Sequence, residues 1–181
     1  MPLLLLSEQQ AIKVISPNWA NAAKVTGGVK NYDQLASEVE TSELVKLLGI
    51  GMLQAIQGEP ESESFAPLLE GGEFTNCNGL VIKFKGLKFI IAYLNWSKYV
   101  AESFVSDTYG GMVSKKTDES QPLSSGDIKR LQSNAREIAM IEWDLLREYL
   151  NINKENYPMW LPNATKKVYQ PKIYGIKRTQ N

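Results

Sequence analysis

The sequence predicts a mainly α fold: an elongated helical domain with two long helices, one β-hairpin before the central helix, and an extended C-terminal arm with strand character. Three observations predict it. Apolar residues recur at helical spacing over 87–106 and again over 127–150. Between them and the preceding chain, Asn78-Gly79 joins two short strand-like runs. Past residue 162 the chain carries five basic residues, no acid, and Pro171, a composition that reads as extended.

The elements follow in order. Ser7 with Gln10 three residues on reads as a capping box opening a helix to about Ile15, which Pro17 ends. Residues 16–31 hold Pro17, Gly27 and Gly28 and read as a loop. A helix from Tyr32 to Leu48 carries Leu35, Val39, Leu44, Leu47 and Leu48. Gly49 and Gly51 weaken it before another turn or two with Met52, Leu53 and Ile56. Glu59 to Ser64, with three acids and a proline, reads as a solvated linker. A hairpin at about 73–85 pairs Glu73–Cys77 with Leu80–Phe84 through a type I′ turn at Asn78-Gly79, and Cys77 is expected to be buried or half-buried in a strand.

The run from Leu87 to about Ser106 is apolar over most of its circumference, leaving Lys88, Asn95, Lys98 and Glu102 as a narrow polar stripe. Such a helix is either the centre of its own domain or partly covered by neighbouring subunits. Residues 107–126 read as a long loop, either a disordered surface segment or one that orders on meeting a partner. The second long helix, Asp127 to Leu150, places Ile128, Leu131, Ala135, Ile138, Leu145 and Tyr149 on one face. It spans about 36 Å at 1.5 Å per residue, more than twice the radius of gyration of a compact chain of this length, hence the elongated shape. Tyr157 to Pro162 is an apolar knot that either caps the core or anchors a partner. Residues 1–162 are thus expected to form the helical domain and 163–181 a basic arm.

Composition narrows the chemistry. The 181 residues contain twenty basic and twenty acidic side chains, no histidine and one cysteine. Without histidine there is no Ser-His-Asp triad, no HExxH zinc site and no imidazole proton shuttle. One cysteine excludes an intrachain disulfide and a cysteine zinc site. Leu3–Leu6 is too short and lacks the basic flank for a signal peptide, and no apolar run reaches the roughly 20 residues of a membrane span, so a reducing cytoplasm is the expected place of synthesis. Neither phosphate-binding glycine motif occurs. Asp127-Ile128-Lys129 matches a fragment of metal-nuclease motifs, but Asp127 suits the first turn of a helix. No enzyme, cofactor or metal is therefore expected.

Several local sequences resemble a known family. They are Leu6-Ser7-Glu8-Gln9-Gln10-Ala11-Ile12, Leu47-Leu48-Gly49, Gly71-Gly72-Glu73-Phe74, Lys85-Gly86-Leu87-Lys88, Ala92-Tyr93, and Ser97 to Asp107 running into Gly110-Gly111-Met112-Val113. In pattern and order these residues, covering most of 3–150, are similar to the head–tail connector (adaptor or ring) proteins of tailed bacteriophages, including those of crAss-like phages. The resemblance implies a mostly helical, non-catalytic virion protein at the head–tail junction, made in the host cytoplasm. It implies a homo-oligomeric ring, commonly twelvefold, docked beneath a portal protein and extending the DNA channel toward the tail. Residues 163–181 do not map onto the pattern.

The candidate subunit and partner contacts are Tyr109, Met112, Val113, Lys115 and Lys116 in the long loop, Met159 and Trp160 in the apolar knot, and Tyr169, Ile173 and Tyr174 in the arm. Lys166, Lys167, Lys172, Lys177 and Arg178 are the candidates for facing DNA in a lumen. The alternative is a nucleic-acid-binding accessory protein in which these lysines neutralise phosphates while tyrosines stack on bases. No membrane and no small-molecule substrate enter either reading.

Overall fold

The computed structural model describes residues 2–12, 32–103, 106–108, 111–113 and 125–161. These form a mainly helical body with small antiparallel hairpins. Helix α1 is Leu6–Ala11, α2 is Tyr32–Val39, a π-helical turn spans Glu40–Leu44, and α3 is Val45–Leu48. There follow α4 (Ile50–Gly58), α5 (Ala66–Glu70), strands β1 (Gly72–Thr75) and β2 (Val81–Phe84), and α6 (Gly86–Ser103). Strands β3 (Ser106–Thr108) and β4 (Gly111–Val113) form a second hairpin, and α7 (Ser125–Ile152) is the longest helix.

Helix α6 is the centre of the domain. Leu87, Ile90, Ile91, Ala92, Leu94 and Val100 are buried, and α2, α5 and α7 pack around it. Up to Val100, most of the apolar circumference seen in the sequence is thus covered within one chain, with Phe89, Tyr93 and Trp96 half-buried; Phe104 and Val105 lie outside the described residues. The polar stripe differs from expectation: Asn95 is fully buried, donating to Gln9 Oε1 and Tyr32 OH at 3.3 Å each. Gln9 Nε2 reaches Ala92 O at 3.1 Å and Tyr32 OH donates to Leu4 O at 2.9 Å, so a polar network ties α1 and α2 to α6. These partners satisfy the Asn95 NH2 in place of water, while Asn95 Oδ1 is buried without a hydrogen-bond partner among the described residues.

Four elements correct the sequence reading. First, α1 is capped two residues before the expected Ser7/Gln10 box, with Leu5 as N-cap and Glu8 Oε2 accepting its amide at 2.8 Å. Second, 32–48 is not one regular helix. The buried apolar residues step from Val39 to Leu44, a gap of five, and the wider π turn keeps both inward. Third, α5 follows the acidic linker because Leu68 and Leu69 bury against α6, with Pro67 in the first turn. Fourth, the expected loop 107–126 contains the β3–β4 hairpin, paired Ser106↔Val113 to Thr108↔Gly111. The remainder of that loop, 114–124, and the 16–31 loop lie outside the described residues.

The β1–β2 hairpin is present in the expected place with register Gly72↔Phe84 to Thr75↔Val81. Its connection is longer than a two-residue turn. Gly79 N donates to Asn76 O at 3.0 Å, Gly79 takes φ +77°, and Asn76 Oδ1 accepts the Asn78 and Leu80 amides. The Asn76 side chain competes successfully for the amides a tight turn would have paired, which opens the loop. Cys77 consequently sits exposed in this loop, not buried in a strand. At the hairpin base Gly71 and Gly86 cross with φ of +90° and +79°, and a Cβ on either would meet the backbone of the other arm. Only glycine permits that approach.

Helix α7 packs on α6 through Ile128, Ala135, Ala139, Trp143, Leu146 and Leu150. The small Ala135 and Ala139 let the helices approach, and Ser97 Oγ donates to Gln132 O across the seam at 3.1 Å. The buried face is rotated from the one expected: Leu131 and Ile138 are exposed. After α7 the chain turns back through 153–160, and Tyr157 and Trp160, three residues apart, both bury.

Candidate functional site

Three polar constellations are built from residues distant in sequence. Lys88 Nζ on α6 lies 2.6 Å from Glu8 Oε1 on α1 and 2.5 Å from Glu70 Oε1 on α5. Burial would raise the Glu8 carboxyl, yet the Lys88 hydrogen bond, the Leu5 amide and the lysine charge hold it below its usual range. Burial would lower Lys88; the hydrogen bonds and charges of Glu70 and Glu8 outweigh it and raise the ammonium. The trio borders a cleft of about 320 Å³ with Ile12, Leu69, Lys85 and Phe89 on its walls. A lysine committed to two carboxylates is a poor nucleophile or base, and the arrangement is a three-helix tether.

The second constellation surrounds Glu40 in the π turn. It is buried, accepts the Leu3 amide at 2.5 Å and Gln57 Nε2 at 3.0 Å, and so fixes the N-terminal segment. Burial pushes its carboxyl up against those hydrogen bonds. The third is Glu43 with Arg136 at 2.8 Å, joining the π turn to α7; the Arg136 bond holds that carboxyl low. None of the three presents a nucleophile beside a base. Among the described residues no three His, Cys, Asp or Glu side chains gather to hold a metal, and no helix is long and apolar enough to cross a membrane.

The most unusual surface is on α7. Leu131, Ile138, Leu145 and Ile152 repeat every seven residues, and Ile141 lies between. Leu131 is 38 % exposed, Ile138 39 %, Ile141 57 % and Ile152 48 %, while Leu145 leans onto the core. At 100° per residue this row points about 120° away from the buried one, so α7 has two apolar stripes, one inward and one outward. Glu137, Asp144 and Glu148 run along the same side of the outward stripe. The inward row, 128–135–139–146–150, steps by seven and four, and the outward row, 131–138–145–152, by seven. A single-face reading merges them, and the helix expected from the sequence stops at Leu150, short of Ile152.

Of the sequence candidates, Met159 is exposed, and so is Leu161 beside it. Trp160 is a correction. It is 1 % exposed, its ring meets Trp143 edge-on at 5.9 Å, and its Nε1 donates to Asn151 Oδ1 at 2.9 Å. That geometry caps the chain's own core and removes Trp160 from any surface. Met112 and Val113 lie on β4. Tyr109, Lys115, Lys116, Lys166, Lys167, Tyr169, Lys172, Ile173, Tyr174, Lys177 and Arg178 lie outside the described residues.

The quoted motif residues converge on structural joints. Glu8 and Lys88 meet in the ion-pair tether, Gln9 meets Ala92, and the two glycine motifs cross at the hairpin base. Comparison with known proteins gives one match: a model for a family of unknown function (DUF6712) aligns with residues 44–170, from the end of the π turn into the C-terminal arm. No curated protein and no solved structure matches.

Proposed function

The chain belongs to that family of unknown function, whose model covers most of its length, and we propose that it is a non-catalytic assembly subunit of the head–tail connector kind. In this reading copies form a ring beneath a portal protein. The observation that carries the proposal is the outward apolar stripe of α7. A helix already anchored by one complete apolar face gains nothing from a second unless another surface covers it, and rows of exposed aliphatics of this kind mark interaction sites. Rings form from head-to-tail contacts in which different patches of identical subunits meet. The sequence resemblance supplies the portal and the virion as context, and the β3–β4 hairpin and the arm supply further contacts.

The test is direct. The purified chain is mixed with a portal protein encoded in the same genome and inspected by native mass spectrometry and negative-stain microscopy. Rings or portal-bound copies are expected, and Ile138→Asp with Ile141→Asp should abolish them while leaving the helical circular dichroism intact. A chain that stays monomeric with the portal protein present, or rings that form equally well from the double variant, would overturn the reading.

A further inference from the structure

We propose that Asn78 is a site of spontaneous deamidation, and that Asn76 restrains the reaction by holding the Gly79 nitrogen away from it. The proposal is independent of the assembly reading, and its chemistry needs only water and hydroxide.

Asn78 is the one asparagine of the sequence followed by glycine. Both residues are exposed in the loop that joins β1 to β2. Asparagine is a thermally labile side chain, and its amide is lost when the next backbone nitrogen attacks it. Hydroxide takes the Gly79 N–H proton, and the nitrogen forms a bond to Asn78 Cγ. The Cγ–Nδ2 bond breaks, ammonia leaves with a proton from water, and a five-membered succinimide remains. Water then opens the ring at one carbonyl to give aspartate, or at the other to give isoaspartate, which has one extra carbon in the main chain. A side chain on the attacking residue would crowd that approach. Gly79 has none, and nothing lies within 4 Å of where its Cβ would stand.

The fold withholds the nucleophile. Gly79 N donates to Asn76 O at 3.0 Å, so the proton that must leave is engaged. Asn76 Oδ1 accepts the amides of Asn78 and Leu80 at 3.0 Å each, and Asn76 N donates to Leu80 O at 2.9 Å. One residue thus fixes the peptides on both sides of Asn78. Ring closure turns the Gly79 nitrogen toward Asn78 Cγ and breaks its bond to Asn76. The reaction therefore proceeds from the opened loop, at a rate set by the population of that state. Either product puts a carboxylate next to Leu80 and Val81, which are 63 % and 64 % exposed, and isoaspartate also lengthens the loop that Asn76 spans.

The full chain, folded or in urea, is incubated in mildly alkaline buffer, and conversion at each asparagine is followed by peptide mass spectrometry. Conversion concentrated at Asn78 is expected, about tenfold slower in the folded chain than in urea, the upper range for one ordinary hydrogen bond. Asn76→Ala, with its helices verified by circular dichroism, should convert in the folded state at close to the urea rate. Asn76→Asp keeps an acceptor for both amides and should stay near the parent. No preference for Asn78 in urea would overturn the site. A folded parent that converts as fast as the unfolded one, Asn76→Ala as slow as the parent, or Asn76→Asp as fast as Asn76→Ala would overturn the restraint. The folded and unfolded parent are compared without any substitution, so the restraint is decided even if Asn76→Ala fails to fold.

Discussion

Replacing Trp160 by alanine tests where the domain ends and what its last apolar residues do. The indole is essentially inaccessible, rests edge-on against Trp143 and donates one hydrogen bond to Asn151. Truncating a buried tryptophan to alanine costs about 3–5 kcal/mol, combining lost transfer energy with the cavity left behind. Within that sum the hydrogen bond contributes about 1 kcal/mol, and Asn151 is exposed enough to bond to water instead. The ring pair adds roughly 0.5–1.5 kcal/mol. Trp160→Phe should therefore cost about 1–2 kcal/mol and Trp160→Ala about 3–5 kcal/mol. For a chain of this size 1 kcal/mol moves the midpoint by about 2–4 °C, so Trp160→Ala should melt roughly 6–20 °C lower. Urea unfolding followed by circular dichroism measures both variants. A loss below about 1 kcal/mol for Trp160→Ala would refute the reasoning and return Trp160 to the role of a surface anchor.

Further expectations concern the backbone crossing and the buried acid. Gly86→Ala places a Cβ at φ +79° against the Gly71 and Leu69 backbone, so the hairpin base must open; a loss of about 2 kcal/mol or more by urea titration is expected, and a neutral effect would contradict the crossing. Glu40 has its carboxyl raised above 4.5 by burial, so its ionisation costs the folded state stability as pH climbs from about 4.5 through the folded value. Glu40→Gln keeps the acceptor for Leu3 without that charge. The variant should gain on the parent as pH rises from 4.5 to 7.5, and parallel urea midpoints across that range would count against it.

Much of this fold was legible because its signals are local. The apolar periods of α6 and α7, the Asn78-Gly79 connection and the punctuating glycines each declare themselves within a few residues. The π turn was written as a five-residue step from Val39 to Leu44, a signal visible only once both are known to face inward. Helix α5 has just five residues, too short for a period to register, and it forms because Leu68 and Leu69 find α6. For Asn95, polarity argued for solvent, but Gln9 and Tyr32 supply partners from 86 and 63 residues away. Trp160 was half legible: its chemistry suits a core or an interface equally, and only the turn at 153–157 directs it inward.

The sequence by itself determined the helical class, the place of the first hairpin and the exclusion of histidine and disulfide chemistry, because composition and short-range periodicity are properties of the chain alone. The tertiary structure decided which of the two apolar rows of α7 faces the core. Both rows satisfy the same helical period, and the choice falls to the alanines at 135 and 139, which let α7 approach α6 closely on that side only. The row left outside is the feature on which the function proposed for this chain depends.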